Sequence, residues 1–168
     1  MDNRFSSGKP WEYDIEESGF NFRLDEIRSA LGLSQMKRLD KSNNLRKKAS
    51  EYYNTRLKNI KGIIIPAPSK NKENSFHLYI IRVTKDFPVD RDMLFKQLLK
   101  NGIRTSVHYK PLNKFTLFKR LAKSYDKLKN SHSLYNEILS LPMYSTITKS
   151  DQNHVINSIK YILDNSKN

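Results

Sequence analysis

Asn21 and Arg23 stand two residues apart in SGFNFRLDEIRSALGLSQMKRLD, residues 18 to 40, just ahead of a good amphipathic helix. A helix N-terminus presents free backbone N–H groups and the positive end of the helix dipole, and both favour an anion. An Asn amide and a guanidinium at that point add donors of fixed geometry suited to a phosphate or a carboxylate. A turn asparagine beside a surface arginine has the same local signature. His108 and Tyr109, in VHYKPL, form a second pair, whose imidazole can donate to a hydroxyl or phosphate oxygen. A strand histidine at the surface reads the same way. His77, His132 and His154 show no metal spacing, and the absence of cysteine excludes disulfides and thiolate metal sites.

The elements that must carry these residues follow from hydrophobic period and punctuation. Residues 1 to 18 contain Gly8, Pro10 and scattered charges without a period, which predicts a loop anchored by Trp11 and Tyr13. Asp25 is a good N-cap for a helix in which Leu24, Ile27, Ala30 and Leu31 recur up to about Arg38; Gly32 weakens it without ending it. Asp40 then caps a second helix, with Leu45, Ala49, Tyr52, Tyr53 and Leu57 on one face. GIIIPAP is a short apolar run stopped by prolines, SKNKENS a polar loop, and HLYIIRV, residues 77 to 83, the best strand in the chain. Asp90 caps a helix that sets Met93, Leu94, Gln97 and Leu98 on one side and ends at Asn101-Gly102. IRTSVHY, residues 103 to 109, reads as another strand. Helical patterns follow near 115 to 124, 131 to 139 and 151 to 164, with SLPMYS between the last two. This order predicts an α/β chain of helices packed on a small sheet.

At 168 residues, 37% of them hydrophobic, the chain can bury one core but not two ordinary ones. Its formal charge of +14 is uneven: Lys96 to Asn130 holds ten Lys or Arg against one Asp. That density suits either a phosphate-bearing partner or a solvated lysine-rich surface. Phe115, Phe118 and Tyr125 lack the regular interleaving with basic residues of a single-strand platform, so only weak, sequence-indifferent nucleic-acid binding is expected. Apolar runs such as Ile63 to Ile65 are far too short to span a bilayer, and the first residues are polar where a signal peptide would be apolar. A cytoplasmic protein without a membrane partner is the expectation.

The segment GFNFRLDEIRSALGLSQMKRLD resembles GYNYRxxxIQAALGxxQLxRLD of the DegT/DnrJ/StrS family, pyridoxal phosphate (PLP) dependent aminotransferases acting mainly on nucleotide-linked keto sugars. Trp11, Tyr13 and Glu17 fit the family's aromatic and acidic lead-in, and SFHLYIIRV, GIRTSVHYKPL and SLPMYSTIT resemble its later strands and turn in the same order. The resemblance implies that Asn21 crosses a dimer interface to hold the cofactor phosphate of the neighbouring subunit, with Arg23 in support. It also implies that His108 and Tyr109 face substrate. Family members often continue HYxPLH; Asn113 stands here in place of the second His, which leaves the substrate's identity open.

The family's Schiff-base lysine and the acid that pairs with the pyridinium nitrogen lie upstream of GxNxR. SFHLYI is not the family's SFHxxK setting, because Ile80 occupies the lysine position. None of the 21 lysines stands in that setting, and no Gly-rich phosphate loop is present. The expectation is therefore a C-terminal portion of a fold-type I aminotransferase, with no catalytic residue assigned and no cofactor held covalently. Residues 1–60 would be a loop and an interfacial helix pair, and residues 61–168 a small C-terminal domain. Glutamate is the implied amino donor, a nucleotide sugar the implied substrate, and a homodimer or a complex with an N-terminal portion the implied assembly. Without that portion, Ile27, Leu31, Leu45 and Leu57 should be exposed. The rival readings are a noncatalytic basic module for nucleic acid or other anions, and an inert gene fragment.

Overall fold

The computed structural model describes residues 17–67, 74–121 and 128–166; Trp11, Tyr13 and most of SKNKENS lie outside them. The chain forms two compact units, Met1–Lys37 and Arg38–Asn168. In the first, helix α1 runs over Glu26–Met36, and the Asp25 carboxylate accepts the backbone N–H of Arg28 at 2.8 Å, as the sequence predicts for that cap. No residue of α1 is buried: Ile27 is 83% exposed and Leu31 59%.

The second unit is built on a three-stranded antiparallel sheet in the order β1 (Ile63–Ile64), β2 (Tyr79–Val83), β3 (Ile138–Leu141). Alternation in β2 buries Tyr79, Ile81 and Val83 on one face. Tyr79 pairs with Leu141 and Ile81 with Leu139, which places those leucines on the same core face. The third strand corrects the sequence reading. Residues 103 to 109 make only a single bridge, Ser106 to Ser140, whereas Ile138–Leu141 forms the full ladder. In 103–109 only Ile103 is fully buried, so little apolar surface rewards continued pairing. ILSL was hidden because a four-residue run following directly on a helix resembles its last turn.

Five α-helices among the described residues complete the second unit. Helix α2 (Leu39–Leu57) buries Ala49, Tyr53 and Leu57, while Leu45 stays 39% exposed. Leu57 is thus core rather than free surface. The N-cap of α2 is Arg38, with Asp40 inside the first turn, where its charge complements the dipole without capping. Helix α3 (Arg91–Lys100) is capped by Asp90, buries Leu94 and Leu98, and stops at Asn101 with Gly102 at φ 76°. Helix α4 is Thr116–Leu121, α5 is Lys129–Glu137, and α6 is Lys149–Asn165. A capping box between Thr148 and Asp151 starts α6, which packs Val155, Ile156, Ile159 and Ile162 into the core. Gln152 donates to the Ala49 carbonyl at 2.8 Å and ties α6 to α2. Such a bond contributes about 1 kcal/mol net, against about 1.5 to 3 for each fully buried Leu or Ile, so packing dominates. None of the described helices is long and apolar enough to cross a membrane.

Two tyrosines sit inside this core. Tyr53 and Tyr79 rings lie 4.8 Å apart; Tyr53 donates to the Pro142 carbonyl at 3.1 Å and Tyr79 to Asn54 Oδ1 at 2.7 Å. Burial pushes both phenols well above the ordinary tyrosine value; Tyr144 and Asp151 add to the effect at Tyr53, and Tyr53 itself adds at Tyr79. The unfolded chain ionises these groups first, near pH 10, so stability is intact below that and falls as pH rises through it. Tyr79→Phe should lower stability by about 1 kcal/mol at pH 8, through loss of its hydrogen bond. It should also flatten the decline between pH 9 and 11, as read from urea midpoints. An equally steep decline in the variant would remove Tyr79 as a cause.

Candidate functional site

In the first unit the Arg23 N–H donates to the Asn21 carbonyl at 3.0 Å, a three-residue turn with Phe22 at its tip. The Phe20 and Phe22 rings lie 5.2 Å apart, and the side chains of Asn21 and Arg23 are both exposed. Asp25 caps α1 and also pairs with Arg28 Nε at 3.2 Å. A carboxylate therefore already occupies the helix end, and the donors open to an anion are the Asn21 amide and the Arg23 guanidinium rather than the helix N-terminus. Two exposed donors on one tight turn fit a phosphate, whose oxygens only accept.

In the second unit His108 is half-buried and Tyr109 is 72% exposed. The His108 Nδ1 lies 2.8 Å from Ser140 Oγ, and the Tyr109 ring meets the imidazole edge-on, with centroids 4.7 Å apart at 82°. Pro111 then leads into a single 3-10 turn, Leu112–Lys114, where the Asn113 amide meets His132 Nε2 at 2.9 Å. The His132 imidazole comes from α5, so a histidine does stand beside position 113, supplied from elsewhere in the chain. Lys110 Nζ sits 4.9 Å from the Phe115 ring centre, and Tyr135 takes Lys114 at 4.6 Å and Arg91 at 5.3 Å. Cations held over rings contribute about 0.5 to 1 kcal/mol each at exposed sites. Part of the basic segment is thus docked on the protein's own aromatic faces.

Of the remaining histidines, His154 Nε2 donates to the Asn101 carbonyl at 2.9 Å and holds the end of α3, and His77 is exposed. Among the described residues no group of three acidic or histidine side chains could hold a metal. Asn21 with Arg23 and His108 with Tyr109 belong to different compact units. Ser140 and His132 are the partners that sequence reading missed. The apolar–Ser–apolar alternation of Leu139, Ser140 and Leu141 was the available signal for the first; the pairing of His132 with Asn113 left none.

The sequence profile of the DegT/DnrJ/EryC1/StrS aminotransferase family matches residues 3–160. The chain belongs to this family. This DegT/DnrJ/EryC1/StrS member is 31% identical over 157 residues to UDP-4-amino-4,6-dideoxy-N-acetyl-beta-L-altrosamine transaminase of Campylobacter jejuni, covering 94% of the chain and 42% of that protein. It is 30% identical over 164 residues to the spore coat polysaccharide biosynthesis protein SpsC of Bacillus subtilis, covering 96% of the chain and 42% of SpsC. Among solved structures, Helicobacter pylori PseC, an aminotransferase involved in the biosynthesis of pseudoaminic acid, superposes with a TM-score of 0.81 at 29% identity, over 92% of the chain and 41% of PseC. A family aminotransferase from Brucella abortus gives 0.78 at 29%, over 95% of the chain and 41% of its own. The chain thus spans about two-fifths of the length of the relatives it matches, and its fold, helices on a small three-stranded sheet, is that of this part of sugar aminotransferases.

Proposed function

We propose that the chain is the C-terminal portion of a PLP-dependent aminotransferase that acts on nucleotide-linked keto sugars, with glutamate as amino donor. It works in the cytoplasm, joined to an N-terminal portion that carries the cofactor lysine, in a homodimer or a two-chain complex. Residues 1–60 supply the loop and interfacial helix pair, the buried face of α2 closing the core of the small domain that residues 61–168 form. One observation carries this reading: the turn of Asn21 and Arg23 exposes two phosphate donors ahead of a capped helix, in a chain that overlays sugar aminotransferases over nine-tenths of its length.

When bound, PLP supplies the electron sink through which an amino group moves between carbons. This chain's residues bind and orient. The Asn21 amide donates to a phosphate oxygen of the cofactor and Arg23 adds charge beside it. His108 and Tyr109 offer donors to a sugar hydroxyl or a diphosphate oxygen of the substrate. In the complex with a lysine-bearing N-terminal portion, Asn21→Ala should weaken PLP retention by about 1 to 3 kcal/mol, the scale for losing a hydrogen bond to a charged group. Spectrophotometric titration of cofactor release measures it, and an unchanged affinity removes Asn21 from the site. Nucleic acid should bind only weakly, with an affinity that falls steeply as salt rises.

A further inference from the structure

We propose that Ser140 is a positioning residue for His108: its hydroxyl donates to Nδ1 and fixes the tautomer that presents Nε2–H to an oxygen of the sugar nucleotide. The inference rests on the reading that His108 faces substrate, and it adds what that reading lacks, the group that decides which ring nitrogen carries the proton.

Ser140 lies in β3 between Leu139 and Leu141, whose side chains enter the core. Alternation turns Ser140 to the other face, beside its partner Ile80, yet it is only 4% exposed. Its backbone N–H donates to the Ser106 carbonyl at 2.8 Å and its carbonyl accepts from the Ser106 N–H at 3.2 Å. Those two bonds stitch the segment bearing His108 to β3 at this residue, two positions before the imidazole. The hydroxyl is therefore held by its own backbone, and its partner among the described residues is Nδ1 at 2.8 Å.

The proton's place follows from cost. A buried O–H without an acceptor forfeits about 1 to 3 kcal/mol, whereas an oxygen that accepts fewer bonds than it could loses much less. The Ser140 proton accordingly points at Nδ1, which must then be bare, and the ring proton sits on Nε2. The edge-on contact with Tyr109 restrains the ring plane. A ring held this way offers a donor to a hydroxyl, carbonyl or diphosphate oxygen. The opposite tautomer would present a lone pair, which repels a carbonyl or diphosphate oxygen and can only accept from a hydroxyl.

The first test reads the tautomer on the chain itself, by long-range 1H–15N correlation of histidine-labelled protein, with His108 assigned from the spectrum of His108→Gln. A single Nε2–H tautomer is expected in the native chain, a mixture in Ser140→Ala, and a return to one form in Ser140→Thr, which keeps the hydroxyl and suits a strand. An Nδ1–H tautomer in the native chain, or an unchanged single form in folded Ser140→Ala, would overturn the proposal. The second test uses the complex with the N-terminal portion. There Ser140→Ala should raise KM for a keto-sugar nucleotide about tenfold, the loss of one hydrogen bond, with kcat and the KM for glutamate moving far less. Ser140→Thr should restore the native KM, and a KM unmoved by Ser140→Ala would end the positioning role. If His108→Gln leaves that KM unchanged while the tautomer result stands, the substrate reading has failed and the hydrogen bond's control of the ring has not.

Discussion

On its own the chain is expected to transfer no amino group from glutamate to a keto-sugar nucleotide; joined to a portion carrying the cofactor lysine, it should do so at a rate on the order of a thousandfold or more above background. The reason is positional. A productive site needs one amine held against the reacting carbon of the cofactor, with the phosphate anchored at one end and an acid at the ring nitrogen, and such preorganisation supplies much of the rate. On the proposed reading, Asn21 and Arg23 would supply donors for the phosphate end only. The chain carries 21 lysines, and any exposed amine reacts slowly with free PLP, so weak labelling by itself carries no information. The decisive measurement is borohydride trapping, mass-spectrometric mapping of pyridoxyl-lysine, and an amino-transfer assay on the chain with and without the N-terminal portion. Scattered, substoichiometric labelling without turnover is expected of the chain alone. One lysine labelled stoichiometrically, with turnover that its replacement abolishes, would show that the chain builds a site by itself.

What could be read in advance was chemistry confined to a few consecutive residues. Asp25 and Asp90 cap the helices they were expected to cap, because a carboxylate bonding the N–H three residues on needs nothing from the rest of the chain. Asn101-Gly102 ends α3 for the same local reason. Thr148-x-x-Asp151 was equally visible and sets the start of α6 at Lys149, two residues before the apolar pattern alone suggests. Strand identity was less legible, because pairing partners decide it: IRTSVHY has strand-like residues but one bridge, and ILSL has four residues and the ladder. Leu57 was expected on a free face but closes the core instead. The candidate site divides along the same line. Asn21 and Arg23 could be picked out by type and position, whereas the contact of His108 with Ser140 spans 32 residues of sequence and that of Asn113 with His132 spans 19. No local pattern reports contacts of that kind; they exist only once the sheet brings its strands together.

Two glycines with the same backbone conformation should respond very differently to a single methyl group. Gly62 and Gly102 have φ of 79° and 76°, a region that costs an L-residue about 1 to 2 kcal/mol. A Cβ on Gly102 would meet nothing within 4 Å, so Gly102→Ala should lose that amount and no more. A Cβ on Gly62 would run into the backbone N of Phe87, and would lie 2.5 Å from Phe87 Cα and 2.6 Å from the Asp86 carbonyl carbon. That backbone has no room to retreat. The Gly62 carbonyl accepts from Thr84 N at 2.8 Å, Phe87 N donates to the Thr84 carbonyl at 3.0 Å, and the Phe87 ring is buried in the core. Relieving the clash means breaking this turn or pulling Phe87 out of the cluster it shares with Ile63 and Val83. Overpacking of this kind adds about 1 to 3 kcal/mol to the backbone term, so Gly62→Ala should destabilise by about 2 to 5 kcal/mol. Urea midpoints of the two variants, with m unchanged, give the comparison directly. Equal losses at the two positions would mean that the 84–87 turn does not press on Gly62 in solution.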